Sequence, residues 1–189
     1  MTEGLATVKG IIFNLVEGFV VAQGGERAWD SLLDTADLDG GYSSLGDYAD
    51  EELFALITAY SETHDLTLAD TTRAVGRHAL LGLADRYPHF FTPHTHTRDM
   101  LLTLNDVIHP EVRKLHPSSR PPDFVYTSTD PDDFVMGYSS GRHLCFLAEG
   151  MITGAAEHYG EGVTVSQSAC MHDGADQCVI HCTFDESRG

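Results

Sequence analysis

The sequence predicts an α+β fold, with a helical N-terminal part followed by a mostly antiparallel sheet and packed helices. Three observations carry this. Apolar residues recur at helical spacing from Ile11 to the neighbourhood of His116. Beyond the Pro121-Pro122 pair the pattern changes to short runs of β-branched and aromatic residues. Helices come first and strands afterwards, which is the order of α+β rather than of alternating α/β units.

Residues 1–7 read as a short extension. Ile11, Ile12, Leu15, Val16, Phe19 and Val20 keep helical spacing, so the first element is an amphipathic helix that Gly24-Gly25 breaks. Glu26 to Thr35 forms a second short helix around Trp29, Leu32 and Leu33, and Ala36 to Asp47 is turn-rich. Asp50 to His64 is a third helix, with Leu53, Phe54, Leu56, Ile57 and Tyr60 apolar. Thr67 is the N-cap of a long helix reaching toward Pro88, with Asp70 three residues on. Thr97 to His116 is the next helix. Pro110 lies inside it and marks a helix start or a kink, because proline removes one backbone hydrogen bond. Asp123–Thr127 and Asp133–Tyr138 are paired strands, and Arg142 to Tyr159 is a helix rich in small residues. Gly162–Ser168 and Gln177–Phe184 close the sheet.

Composition narrows the function classes. The chain of 189 residues is long enough for a sizeable core, and 42% apolar residues exclude a disordered chain. A formal charge of −18 repels phosphate backbones and anionic lipid, so neither nucleic acid nor membrane is an expected partner. No apolar run approaches the ~20 residues of a membrane span and no leader pattern opens the chain. All four cysteines follow position 144, too clustered to staple a whole secreted fold. A cytoplasmic protein with reduced thiols is the expectation.

Of eleven histidines, His109 stands out because it sits in an apolar helix face with Val107 and Ile108. Some thirty residues later come Tyr138, Ser140 and Arg142 at alternating positions. On an extended segment such residues point to one side. A phenol, a hydroxyl and a guanidinium together make an anion clamp, and Arg suits bidentate carboxylate recognition. One imidazole able to ligate a metal, plus a carboxylate clamp, is what a heme pocket with two propionates requires. The His89, His94 and His96 cluster lies among prolines and polar residues and reads as an exposed loop.

The second constellation is Cys170-Met171-His172-Asp173-Gly174-Ala175-Asp176-Gln177-Cys178, continued by His181 and Cys182. Thiolates and imidazoles at hairpin separation suit tetrahedral zinc. The Asp173-Gly174 turn would bring Cys170 and Cys178 together, and Cys145 on the preceding helix could supply a third sulfur. Cys182 and His172 are candidates for a fourth ligand. The alternative is a set of buried free cysteines with incidental histidines.

The Tyr138-x-Ser140-x-Arg142 spacing resembles the propionate-binding motif of the heme nitric oxide/oxygen binding (H-NOX) family. The likeness extends to Val8-Lys9-Gly10-Ile11-Ile12-Phe13-Asn14, to Trp29, to Ala74-Val75-Gly76-Arg77 and to Leu104-Asn105-Asp106-Val107-Ile108-His109. Pro122 falls where that family sets a proline against the heme. The resemblance covers about residues 8 to 184. It implies a single heme b-binding domain over 8–184, with a helical subdomain at 8–66, a heme-bearing subdomain at 67–184 and a tail at 185–189. His109 would be the ligand of the heme iron.

The same resemblance implies a gas sensor rather than an enzyme. Family members that hold O₂ have a distal tyrosine five residues after the motif arginine. That position is Leu147 here, and with Val16 and Leu80 or Leu81 on the same side the pocket would be apolar. The expected ligand is therefore NO, with CO a further candidate and O₂ rejected. Gly76 and Gly150 match the family's hinge glycines, close helix packing being the alternative for Gly150. The 189 residues hold no kinase or cyclase domain, so the expected output passes in trans to a histidine kinase or a cyclic-di-GMP enzyme. A bacterial subset of the family binds zinc at the C-terminal cysteines, with a histidine where this chain has Gln167. A zinc/thiol redox sensor independent of heme is the alternative function.

Overall fold

The computed structural model describes residues 7–130 and 132–185. The expected extension and tail lie outside these residues, except that Thr7 opens a strand and Asp185 closes one. The chain divides into two compact units, residues 1–75 and 76–189, and the division falls inside the fourth helix. The fold class expected from the sequence is the one observed: mixed helix and antiparallel sheet.

In the first unit a short strand β1 (Thr7–Lys9) runs into helix α1 (Gly10–Gly24), and α2 (Glu26–Ala36) and α3 (Asp50–His64) follow. β1 pairs antiparallel with β2 (Asp47–Ala49), a small sheet that hydrophobic periodicity does not foretell. Three-residue strands carry no alternation of their own. They form here because Lys9 Nζ reaches Asp47 Oδ2 at 2.7 Å and the Phe13 ring stacks on Tyr42 at 4.2 Å. Val16, Phe19, Trp29, Leu53 and Leu56 fill the interior. α2 and α3 end on Asp37 and Asp65, both left-handed, a cap that a short polar side chain tolerates.

α4 (Leu68–Arg86) spans the division. Thr67 caps it as expected: its Oγ1 accepts from the Asp70 N–H at 3.0 Å and donates to Asp70 Oδ2 at 2.8 Å.

The second unit holds a sheet of order β3-β4-β6-β5, antiparallel throughout. Its strands are β3 (Asp123–Asp130), β4 (Asp133–Ser139), β5 (Gly162–Ala169) and β6 (Cys178–Asp185). α7 (Cys145–Tyr159) covers it, and Phe134, Met136, Cys178, Ile180 and Ala155 are fully buried between. The small residues of α7 let α4 come close. A Cβ built on Gly76 would lie 2.3 Å from the Leu147 carbonyl oxygen, and one on Gly154 would lie 2.6 Å from that of Arg77. Close packing therefore requires a glycine at position 76, whether or not it also serves as the hinge expected from the sequence.

The single helix expected over Thr97–His116 is three segments. α5 (Thr97–Leu101) is followed by a π-helical turn (Leu104–Ile108) and then α6 (His109–Leu115). Pro110 is the reason. It has no N–H to offer one turn back, and its ring would clash there in a continuous helix. The backbone widens instead, with the Ile108 N–H bonding the Thr103 carbonyl at 3.0 Å. α6 restarts with Pro110 in its first turn, where a missing N–H costs nothing.

Candidate heme and thiol sites

His109 opens α6 directly after the π-helical turn, and only 9% of it is exposed. Burial, with the nearby Arg113 charge, pushes its pKa down to about 4; Asp123 and the Pro122 carbonyl oppose the shift. The ring is therefore neutral, the form in which imidazole ligates metal. Its Nδ1 is buried without a hydrogen bond of good geometry, although the Pro122 carbonyl lies near enough to the ring to favour its protonated form. The imidazole stacks on Phe124 at 5.8 Å between centroids and 27° between planes. Phe124 in turn meets Tyr138 edge-on at 5.8 Å, as its cross-strand partner.

Tyr138 lies on β4 and is 2% exposed, and burial pushes its hydroxyl up to about 12, so it is a phenol and a donor. Ser140 and Arg142 do not continue the strand alternation expected for them. β4 ends at Ser139, and the chain turns, with the His143 N–H bonding the Ser140 carbonyl at 3.1 Å. The Ser140 hydroxyl accepts from the Arg142 N–H at 3.3 Å, a local side-chain turn that competes with the extended form. His143 adopts φ +54° to leave that turn and let α7 begin at Cys145. Arg142 Nη1 donates to the Arg120 carbonyl at 2.9 Å, tying the donor turn to the Arg120-Pro121-Pro122 loop. Within the second unit the fold thus links His109, Phe124, Tyr138, the Ser140–Arg142 turn and the Pro122 loop.

Three residues of this assembly were not singled out by spacing. Phe124 is an aromatic among several, and Arg120 contributes only a carbonyl, which no pattern reveals. Asn105 bonds the Phe124 backbone from both its amide nitrogen and its oxygen. A polar residue four before His109 on an otherwise apolar face was the signal for it. Leu147 is half-buried on α7, and neighbouring Phe146 stacks on His172 at 5.1 Å.

The thiols gather beside Tyr138, whose cross-strand partner on β6 is Cys178. Cys145 opens α7, Cys170 follows β5 and Cys178 opens β6. The Cys145 and Cys170 sulfurs are 3.8 Å apart, those of Cys170 and Cys178 4.0 Å, and all three lie within 4.8 Å of one another. Burial pushes the Cys145 thiol up to about 12 and raises Cys178 as well. The two proposed fourth ligands stand elsewhere. Cys182 is buried outside the three-sulfur group, its thiol pushed up to about 12 by burial and by Glu149. The ring of His172 is held by the His143 carbonyl, 2.8 Å from Nε2. Gln167 bonds Glu149 Oε1 through Nε2 at 2.7 Å and approaches Cys145, while its own Oε1 is buried without a partner. Among the described residues no helix is long and apolar enough to cross a membrane.

Comparison with known proteins accords with this architecture. Comparison with curated proteins gives no match. Solved structures do match. An H-NOX protein from S. oneidensis, a triple mutant in the Fe(II) ligation state, is 34% identical, covers 96% of this chain and 98% of its own, and has a TM-score of 0.89. The S. oneidensis protein in the Fe(II)NO state is likewise 34% identical, over 95% of this chain and 100% of its own, with a TM-score of 0.88. An Fe(II) unliganded H-NOX mutant from K. algicida is 25% identical, over 96% and 98%, with a TM-score of 0.85. The family model for Haem-NO-binding matches residues 9–167. The chain belongs to the heme-NO-binding, or H-NOX, family.

Proposed function

We propose that this chain is a heme-based sensor that takes nitric oxide at ferrous iron, rejects O₂, and signals in trans without catalysis of its own. One observation carries the reading. A neutral, buried imidazole whose Nδ1 has no hydrogen bond of good geometry and a cluster of phenol, hydroxyl and guanidinium donors occur together in a member of the heme-NO-binding family. Ferrous heme, when bound, supplies an iron with one protein nitrogen and one position open to a diatomic gas. His109 would be the protein ligand, with Pro122 beside it. Tyr138, Ser140 and Arg142 would hold the propionates, Arg142 contributing the charge-assisted bonds.

Selectivity follows from the chemistry of the distal side. With heme in place, a hydrogen-bond donor on the distal side would favour O₂ as the ligand, whereas NO would need none. Leu147 offers no donor, and buried Leu80 of α4 is apolar too. The S. oneidensis relatives solved in Fe(II)NO and Fe(II)CO states support a diatomic ligand, with CO as a second gas. The output reading, a histidine kinase or a cyclic-di-GMP enzyme as partner, rests on the family resemblance. The test is an anaerobic absorption spectrum of the reduced, heme-loaded protein. A Soret band that shifts with NO and ignores air is expected. Heme content unchanged by His109→Gly, or no uptake of heme, would overturn the reading. With His109→Gly, heme uptake returns when imidazole is supplied.

A structural zinc is a second proposal for the same chain. Sulfurs about 2.3 Å from a tetrahedral ion stand about 3.8 Å apart, close to the Cys145–Cys170 and Cys170–Cys178 separations, and the third pair lies within 4.8 Å. These thiols could supply three corners, and among the described residues no further His, Cys, Asp or Glu joins the group, Gln167 being the nearby polar residue. A protein without heme that takes zinc and releases it on thiol oxidation would instead favour a thiol redox sensor.

A further inference from the structure

We propose that Asn105 is a positioning residue for His109, setting the imidazole over Phe124 by pairing with the open edge of β3. This rests on the reading of His109 as the heme ligand. β3 is an edge strand, bonded to β4 on one side only. At Phe124 the other side is met by a single carboxamide. Asn105 Nδ2 donates to the Phe124 carbonyl at 2.6 Å, and the Phe124 N–H donates to Asn105 Oδ1 at 3.4 Å. A carboxamide carries a donor and an acceptor side by side, so it can match both groups of one residue as a neighbouring strand would.

The consequence for His109 is geometric. Asn105 precedes it by four residues, on the same face of the helical segment. Pinning Asn105 to the backbone of Phe124 therefore fixes the rotation of the segment about β3. His109 lands on the Phe124 ring, stacked at 5.8 Å. A second tie limits sliding along the strand: the Tyr126 hydroxyl donates to the Leu101 carbonyl at the end of α5. The need for such ties comes from Pro110. The π-helical turn interrupts the α-helical frame before His109, so contacts outside the helix help to set the direction of the imidazole.

The test compares Asn105→Leu, which removes both bonds at similar volume, in two backgrounds. Heme loss from the loaded protein is followed by absorbance, with excess apomyoglobin as the acceptor. With His109 present, heme loss should be about tenfold faster, the equivalent of one to two hydrogen bonds. In His109→Gly protein loaded with heme and saturating imidazole, the same substitution should change nothing, because a free ligand needs no positioning. Equal acceleration in both backgrounds would show a merely structural role, and no acceleration with His109 present would refute the proposal. Heme loss insensitive to His109→Gly without imidazole would instead remove the ligand reading beneath it. Should Asn105→Leu fail to fold, Asn105→Asp keeps the acceptor for the Phe124 N–H and should give an intermediate rate. Amide exchange at Phe124 in the full chain gives a readout independent of gas binding. Faster exchange is expected in Asn105→Leu and near-native exchange in Asn105→Asp, and native exchange in both would sink the pairing.

Discussion

Replacing Gly76 by alanine tests the close packing of α4 on α7. The added Cβ would sit 2.3 Å from the Leu147 carbonyl oxygen and 3.1 Å from the Met151 nitrogen. Both are backbone atoms of α7 and cannot rotate aside, so the two helices must part locally by about 1 Å to restore ordinary contact. Overpacking of this kind costs about 1–3 kcal/mol, and backbone contact argues for the upper end. Alanine returns about 1 kcal/mol through helix propensity. The expected net loss is therefore about 1–2 kcal/mol, or a fall in Tm of roughly 2–8 °C for a chain of this size. Urea unfolding followed by circular dichroism measures it. Gly154→Ala opposes the Arg77 carbonyl at 2.6 Å in the same crossing, so the double variant should lose less than the sum, since one separation accommodates both methyl groups. A Gly76→Ala protein as stable as the parent, or more stable, would refute the packing argument.

Four further outcomes are expected. Arg142→Ala should weaken heme retention about tenfold or more, and Arg142→Lys should restore only part of it, because an ammonium cannot make the bidentate bonds of a guanidinium; equal retention in all three proteins would exclude Arg142 from the clamp. Leu147→Tyr should introduce measurable O₂ binding by the reduced protein, and an unaltered gas profile would place Leu147 away from the bound ligand. Cys170→Ser should abolish stoichiometric zinc uptake, whose affinity in the parent should fall with falling pH because each thiol sheds a proton on ligation; uptake indifferent to Cys170 would discard the three-sulfur site. Burial opposes ionisation of Glu161, but bonds from Thr97 and His96 outweigh it and hold the carboxyl below its ordinary value of 4.5. A depressed carboxylate stabilises the fold above pH 4.5, and that contribution disappears as the pH falls below it. Glu161→Gln should flatten the stability profile in that acid range, and an unchanged slope would remove Glu161 as its source.

What the amino-acid sequence determined by itself is what local periodicity and residue chemistry encode. Helical spacing placed α1, α3 and α4, Thr67 announced its cap, and the change of period after Pro122 announced a sheet of four strands. Residue type alone nominated an imidazole, a donor cluster and a run of thiols, because few side chains ligate metals or bind carboxylates. The tertiary structure decided everything that depends on partners distant in sequence. β1 and β2 are too short to show a period and exist only through their mutual pairing. The widened turn before His109 follows from Pro110, but its orientation is set by Asn105 against Phe124, nineteen residues away. Arg142 leaves the expected alternation because Ser140 closes a turn on it. Three of four cysteines meet, and His172 is drawn aside to the His143 carbonyl, because strand register and the hairpin turn fix where each side chain can reach. Spacing along a chain fixes which residues share a face; only packing fixes what that face meets.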